Sequence, residues 1–422
     1  MPKTTPDEGP GPGERPGPAG RAGPGALLLL GPAFVAAIAY VDPGDVAANL
    51  TAGARYGDLL LWVLVLANAI AVLVQYSSAK LGLVTGQSLS EHLGERMRPW
   101  PRRLYWLQAE LVAAATDVAE VIGGAIALHL LFGLPLWLGG VVVGIVAILI
   151  LAIQSRRGQR AFELTIIGLL AVIVIGFVFG LVVSGFDAGE AVAGLVPRFE
   201  GTDSVLLATS MLGATVMPHA IYLHSALARD RHGHVRDEAG LRRLLRATKT
   251  DVLAALVVAG AVNIAMLLLA ATALRGAEGT DTIEGAHAAI AAALGPGVAA
   301  VFAVGLLASG LASSSVGTYA GQSIIGGLLR VRVPVGVRRL VTLVPAVGLL
   351  AVGVDPTWAL VLSQVVLSFG IPFALVPLVR ATGSVRVMGR WVHPVWLRVL
   401  GWAAVAIVTA LNALLIALVL AG

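Results

Sequence analysis

The strongest constraint on this chain is how little of it can face water. Ile166 to Val183 runs eighteen residues without a charge, and comparable windows recur along the whole sequence. Each is long enough to cross a hydrocarbon layer about 30 Å thick as a helix. Hydrophobic residues make up 57% of the chain and charged ones only 13%, with a mean hydropathy of +0.88. A soluble domain has no use for that much apolar surface, so the lipid bilayer is the first partner and the fold class is an all-α polytopic membrane protein. The formal charge of +5 does not argue for nucleic acid, because the basic residues sit in short loops between spans. With no cysteine there is no disulfide or thiolate site, and a soft ligand must come from Met or His.

Eleven spans emerge, near 26–53, 58–84, 104–131, 135–153, 163–185, 203–228, 248–274, 294–322, 338–353, 356–380 and 396–421. The even-numbered loops hold the arginines: Arg96, Arg98, Arg102 and Arg103; Arg156, Arg157 and Arg160; Arg229, Arg231, Arg236, Arg242, Arg243 and Arg246; Arg330 and Arg332; Arg380, Arg386 and Arg390. The odd-numbered loops carry few (Arg55, Arg198, Arg275). That asymmetry puts the N-terminus in the cytoplasm and the C-terminus outside, at the plasma membrane. Residues 1–25, rich in Pro and Gly, read as a disordered tail and not as a cleaved signal peptide.

Two spans are interrupted. Asp42-Pro43-Gly44-Asp45 lies inside the first. Pro43 lacks an amide donor and disfavours helical geometry at Asp42, while Gly44 permits backbone that a side chain would forbid. Such a break survives at membrane depth only where protein or a watery cavity covers it. Two carboxylates on it are costly, and a cation would offset them. The second break, at Met217-Pro218-His219, falls in the sixth span. Two sets of five spans, each opening on a broken helix, predict a 5+5 inverted repeat with its substrate between the breaks. The predicted organisation is a transport core over 26–380, with repeats at about 26–185 and 203–380. Residues 381–422 then form a loop and an added eleventh helix.

Several segments resemble the Nramp family of proton-coupled transition-metal transporters. They are Tyr40-Val-Asp-Pro-Gly-Asp45, Gly213-Ala-Thr-Val-Met-Pro-His219 with Tyr222-Leu-His224, Ala115-Thr-Asp117-Val-Ala-Glu120, and Ala308 through Gln322. The resemblance runs from about residue 30 to the end. It implies a LeuT-like fold with discontinuous helices 1 and 6, and uptake of Mn2+ or Fe2+ with protons. One position departs: Asp45 stands where the family usually has Asn. A carboxylate there adds a charge that a cation or proton must compensate, where an amide would be neutral.

The expected metal ligands are Asp42, Asp45, the Ala214 carbonyl, Met217 and Gln364. Asp42 could instead only cap the following half-helix, and the same alternative holds for Asp45. A thioether at Met217 favours Mn, Fe, Co and Cd over Mg and Ca, whereas an ordinary membrane Met is core filler. Pro218 cannot donate to the Ala214 carbonyl four residues earlier, which leaves that oxygen available. Gln364 is either an oxygen ligand or an interhelical hydrogen-bond partner.

Glu110, Asp117 and Glu120 share one face of the third span and read as a proton pathway or a structural ion-pair cluster. Arg338 and Arg339 are the candidate partners, a pairing the resemblance supports. His219 and His224 follow the second break and could relay or gate protons. His232 and His234 look solvated, and His129, His287 and His393 carry no assignment. Gly310 and Ser313 to Ser315 read as small residues that let helices approach.

No Gly-x-x-x-x-Gly-Lys-Ser/Thr loop occurs, which argues against nucleotide-driven pumping, and no nucleophile–base constellation supports an enzyme. No resident cofactor is expected; the metal and protons are cargo. The rivals are a same-fold carrier of Mg2+ or of a sodium-coupled organic solute, and a passive metal channel. Against an amino-acid carrier, two acids would repel the substrate carboxylate, and Met217 offers sodium nothing.

Overall fold

The computed structural model describes residues 31–233, 237–277, 279–280, 282–331 and 333–421. The Pro/Gly-rich tail, the first residues of the first span, His234, Arg236 and Arg332 lie outside that set. Among the described residues there are helices and no strands. They are α1 (Pro32–Ala37), α2 (Pro43–Tyr56), α3 (Leu61–Thr85), α4 (Leu89–Arg96), α5 (Pro99–Phe132), α6 (Leu136–Arg157), α7 (Gln159–Ser184), α8 (Ala188–Ala193), α9 (Gly201–Thr215), α10 (Pro218–His232), α11 (Glu238–Ala273), α12 (Ile283–Leu294), α13 (Pro296–Leu329), α14 (Val335–Ala351), α15 (Pro356–Thr382), α16 (Val385–Met388) and α17 (Val395–Ala421).

Nine helical stretches among the described residues are long and apolar enough to cross a membrane. One of them, Pro43–Thr85, holds both α2 and α3, interrupted at Gly57, where φ is 59°. At 17 residues, α14 falls just short of that length. Counting both gives the eleven expected spans, with α1/α2 and α9/α10 each forming one discontinuous span.

The repeat is visible in how the helices pack. Exchanging each of the first five spans with its counterpart among the next five sends the α2–α11 contact onto α10–α3, and α13–α7 onto α5–α15. The contacts α5–α13, α3–α11 and α6–α14 map onto themselves. Small residues make the central α5–α13 contact possible: a Cβ on Gly310 would lie 2.8 Å from the Gly124 Cα.

Prolines inside α15 show what happens to a carbonyl that loses its helical donor. Pro372 frees the carbonyl of Ser368, and the Asn412 amide of α17 donates to it. Pro377 frees that of Phe373, and the Tyr105 hydroxyl of α5 donates there. Two of its neighbours, α17 and α5, thus dock onto α15 through oxygens that its own sequence released.

Candidate metal site and polar pathway

The first break follows from local chemistry. Asp42 is extended (φ −74°, ψ 168°), as the residue before a proline prefers, and Pro43 opens α2. Asp42 Oδ1 accepts the Asp45 amide at 2.7 Å, so Asp42 is the cap of α2. Its other oxygen, Oδ2, has no partner, although the residue is wholly buried. Asp42 therefore caps α2 with one oxygen and keeps the other unpaired. The cap reading of Asp45 is corrected. It sits in the first turn of α2, not before it, and its Oδ1 lies 3.5 Å from the Thr215 hydroxyl at the end of α9. Asp45 Oδ2 is likewise buried without a partner.

The second break is Val216 and Met217, both wholly buried and both non-helical, before Pro218 opens α10. Ala214 should lose its usual donor to Pro218. Met217 belongs to the same buried cluster as Val41 and Val46, which flank the Asp42–Asp45 turn.

One helix touches both breaks. A Cβ on Gly44 would fall 1.6 Å from Gln364 Nε2, one on Gly213 would fall 3.2 Å from the Ser368 Cβ, and Gly370 faces Pro218. Gln364 therefore reaches the first break from α15, and both its amide atoms are buried without a partner. The Asp42 and Gln364 side chains thus both reach Gly44, the residue before Asp45, and each of the three carries a buried oxygen without a partner. Unsatisfied buried acids are costly, and they describe a place for a cation. Among the described residues no three His, Cys, Asp or Glu side chains cluster at metal-binding spacing. A metal site here would have to combine the two carboxylates with amide, carbonyl or thioether donors.

A cavity of about 430 Å³ leads to this place from the arginine-poor face, between α2, α9 and α15. Arg55, Asp203 and Asp355 line it together with Thr51 and Ser210, and it reaches Gly44 and Gln364. His219, Tyr222, His224 and Ser225, on α10, are all buried.

The unwound segment is held by residues that sequence reasoning passed over. Asn263 of α11 donates to the Tyr40 carbonyl at 2.8 Å, and Ser309 of α13 donates to that of Val41 at 2.6 Å. The Tyr40 hydroxyl accepts from Gln75 at 2.5 Å, and Gln75 Oε1 lies 2.8 Å from His224 Nδ1. For Gln75 to accept there, His224 must carry its proton on Nδ1, which leaves Nε2 as the open acceptor. His219 has no partner on either ring nitrogen. Asp251 of α11 accepts the amides of Gly31 and Ala33, both at 3.0 Å, and so caps α1 from outside it. The only signal for these residues was a lone polar side chain in an apolar span.

The acids of α5 and the arginines of α14 lie together. Arg338 is 3.3 Å from Glu110 and 3.9 Å from Asp117, and Arg339 is 3.4 Å from Asp117. Arg339 also donates to Ser314, and Arg338 to the Thr318 carbonyl at 2.9 Å. Ser314 therefore does more than allow close packing. Glu120, wholly buried and packed against Gly317, has no partner on either oxygen. It lies one turn from Asp117, so the α5 acids form a row from the bundle interior towards the arginine-rich face.

The model of the Nramp family, described as natural resistance-associated macrophage protein-like, matches residues 33–418. This chain belongs to the Nramp family. It is 59% identical over 394 residues to the divalent metal cation transporter MntH of Mycobacterium tuberculosis, covering 93% of this chain and 92% of that one. MntH of Bacillus subtilis is 46% identical over 395 residues, covering 93% and 92%. The crystal structure of the Eremococcus coleocola manganese transporter superposes with a TM-score of 0.84 at 31% identity, over 92% of this chain and 85% of that one. MhsT, at 16% identity and a TM-score of 0.59 over 90% and 98%, shares the fold alone. As an Nramp protein the chain is a multi-pass membrane transporter of LeuT-like fold, and not an enzyme.

Proposed function

We propose that this Nramp protein imports divalent transition metal, Mn2+ and also Fe2+, together with protons across the plasma membrane. Asp42, Asp45, Met217, Gln364 and the Ala214 carbonyl hold the ion. The observation that carries this reading is that Asp42, Asp45 and Gln364, each with a buried unpaired oxygen, meet at the Gly44 break, where a vestibule ends. A divalent cation would compensate two carboxylates at once, and a thioether ligand from Met217 would favour softer ions. The names of the relatives, a divalent metal cation transporter and a manganese transporter, support the cargo class.

The positive-inside bias makes the vestibule face the exterior and the N-terminus the cytoplasm, so the conformation described is open outwards. Protons leave the metal site through Glu120 and Asp117 towards Glu110, with Arg338 and Arg339 holding the acids in a row. His219 and His224, on the half-helix after the second break, relay or gate the protons. Alternating access rocks the broken helices against α5, α13 and their neighbours.

The test is uptake into proteoliposomes with a pH dye inside. The expected result is saturable Mn2+ uptake with internal acidification, competed by Fe2+ and Cd2+ but weakly by Mg2+ and Ca2+. Mn2+ entry without acidification would refute proton coupling, and non-saturating entry would mean a channel.

A further inference from the structure

α13 contributes neither acid nor arginine to the row formed by Glu110, Asp117, Glu120, Arg338 and Arg339, yet it walls that row on one side. Ser314, Gly317, Thr318 and Gly321 recur at helical spacing and share one face of α13. The two hydroxyl residues answer the arginines. Arg339 donates to the Ser314 hydroxyl and, at 3.4 Å, to that of Thr318, while Arg338 donates to the Thr318 carbonyl at 2.9 Å. The two glycines make room. A Cβ on Gly321 would fall 1.5 Å from Arg338 Nη2. One on Gly317 would fall 2.7 Å and 3.2 Å from the two Glu120 oxygens and 3.1 Å from Asp117 Oδ1. Both glycines are buried inside the helix and neither takes a left-handed angle, while glycine is a poor helix former. Space, not backbone freedom, is what they provide. At Gly310 the missing methyl admits the Gly124 backbone; at Gly317 it admits two carboxyls.

Those carboxyls meet where Gly317 is bare. No donor reaches either Glu120 oxygen, and the group at hydrogen-bonding range is a second acid, Asp117. Asp42 and Arg339 are the other charges that act on Glu120. Arg338 and Arg339 of α14 and His219 of α10 face Asp117. Two like charges at such range are avoided when the pair holds a proton between them. That bond is also a path: as the O–H bond of Glu120 breaks, one forms on Asp117, which requires direct contact or a single bridging water. A methyl on Gly317 would stand in the gap. The Glu120 carboxyl, at the end of a flexible side chain, would yield before the α13 backbone did.

We propose that Gly317 is a positioning residue for proton transfer: its bare backbone keeps Glu120 and Asp117 in contact, so α13 governs coupling without a titratable group of its own. This rests on the proton-coupled reading above.

The test reads Gly317→Ala in the full-length protein in two ways. In proteoliposomes with a pH dye inside, internal acidification per Mn2+ taken up should fall about fivefold. In infrared spectra, the protonated-carboxyl stretch that disappears in Glu120→Gln should shift. Asp117→Asn, which adds no methyl, should shift the same band, so the contact is tested even if Gly317→Ala fails to fold. Gly326→Ala, the same change farther along α13 with nothing within 4 Å, should leave both readouts at wild type. A band unmoved by Asp117→Asn or by Gly317→Ala would overturn the inference, as would an unchanged acidification ratio in Gly317→Ala or an equal effect in Gly326→Ala. Wild type that takes up Mn2+ without acidification would overturn the coupled reading as well, and the band would still show whether the two acids touch.

Discussion

Replacing Gly44 with alanine adds one methyl group where the Gln364 amide already stands. The new Cβ would fall 1.6 Å from Gln364 Nε2 and 2.7 Å from its Cδ, against an ordinary contact of 3.4–4 Å. The amide must therefore retreat by about 2 Å, which takes its oxygen beyond the roughly 2.0–2.6 Å at which oxygens hold small divalent ions. The backbone need not suffer, since Gly44 sits in the first turn of α2 and takes no left-handed angle. Overpacking of this kind costs about 1–3 kcal/mol, and if the loss falls on the occupied site the apparent affinity for Mn2+ drops roughly five- to 150-fold. Concentration-dependent uptake in proteoliposomes measures it. Gln364→Ala alone should weaken affinity by a similar amount, and the double variant should be no worse than Gln364→Ala, because the clash has gone. Wild-type affinity in Gly44→Ala, or losses that simply add in the double variant, would show that Gln364 does not press on the first break.

Met217→Ala should keep Mn2+ uptake while letting Ca2+ and Mg2+ compete several-fold better; an unchanged competition panel would assign the thioether to packing. Asp45→Asn restores the usual family residue and removes one charge from the site, so the pH profile of uptake should move, and an identical profile together with unchanged metal affinity would remove Asp45 from the ion. Arg339→Met strips a buried Asp117 of its nearer partner, and breaking such a pair costs about 3–5 kcal/mol. Thermal unfolding in detergent should shift down by several degrees, and a variant as stable as wild type would mean that Asp117 is held well enough by Arg338.

The two breaks were legible because proline acts on its own neighbours: Pro43 and Pro218 lack a donor whatever surrounds them. The span count and the order of the repeats were legible for a similar reason, since apolar length alone decides what can cross a bilayer. The division of labour at Asp42 was not legible. A cap and a ligand demand the same residue type, and only coordinates show one oxygen turned back to the Asp45 amide with the other left over. The supports of the unwound segment were hidden more deeply. Asn263, Ser309 and Gln75 lie 223, 268 and 35 residues from the groups they bind. Each looks in sequence like an isolated polar residue in a packed helix. The sequence marks His224 as a candidate proton carrier, and its bond to Gln75 adds a tie to Tyr40 that no spacing rule could have supplied.

The Asp251 clasp on α1 has a consequence for how the molecule can move. Two amides at the head of a six-residue helix are answered by one carboxylate on another helix. Swinging α1 aside would strand both donors and the acid in a dry interior unless water took over at the same instant. The Arg160 and Glu163 side chains beside Gly31 mark the side from which water would reach them. Release of that helix would therefore be coupled to wetting of the arginine-rich side.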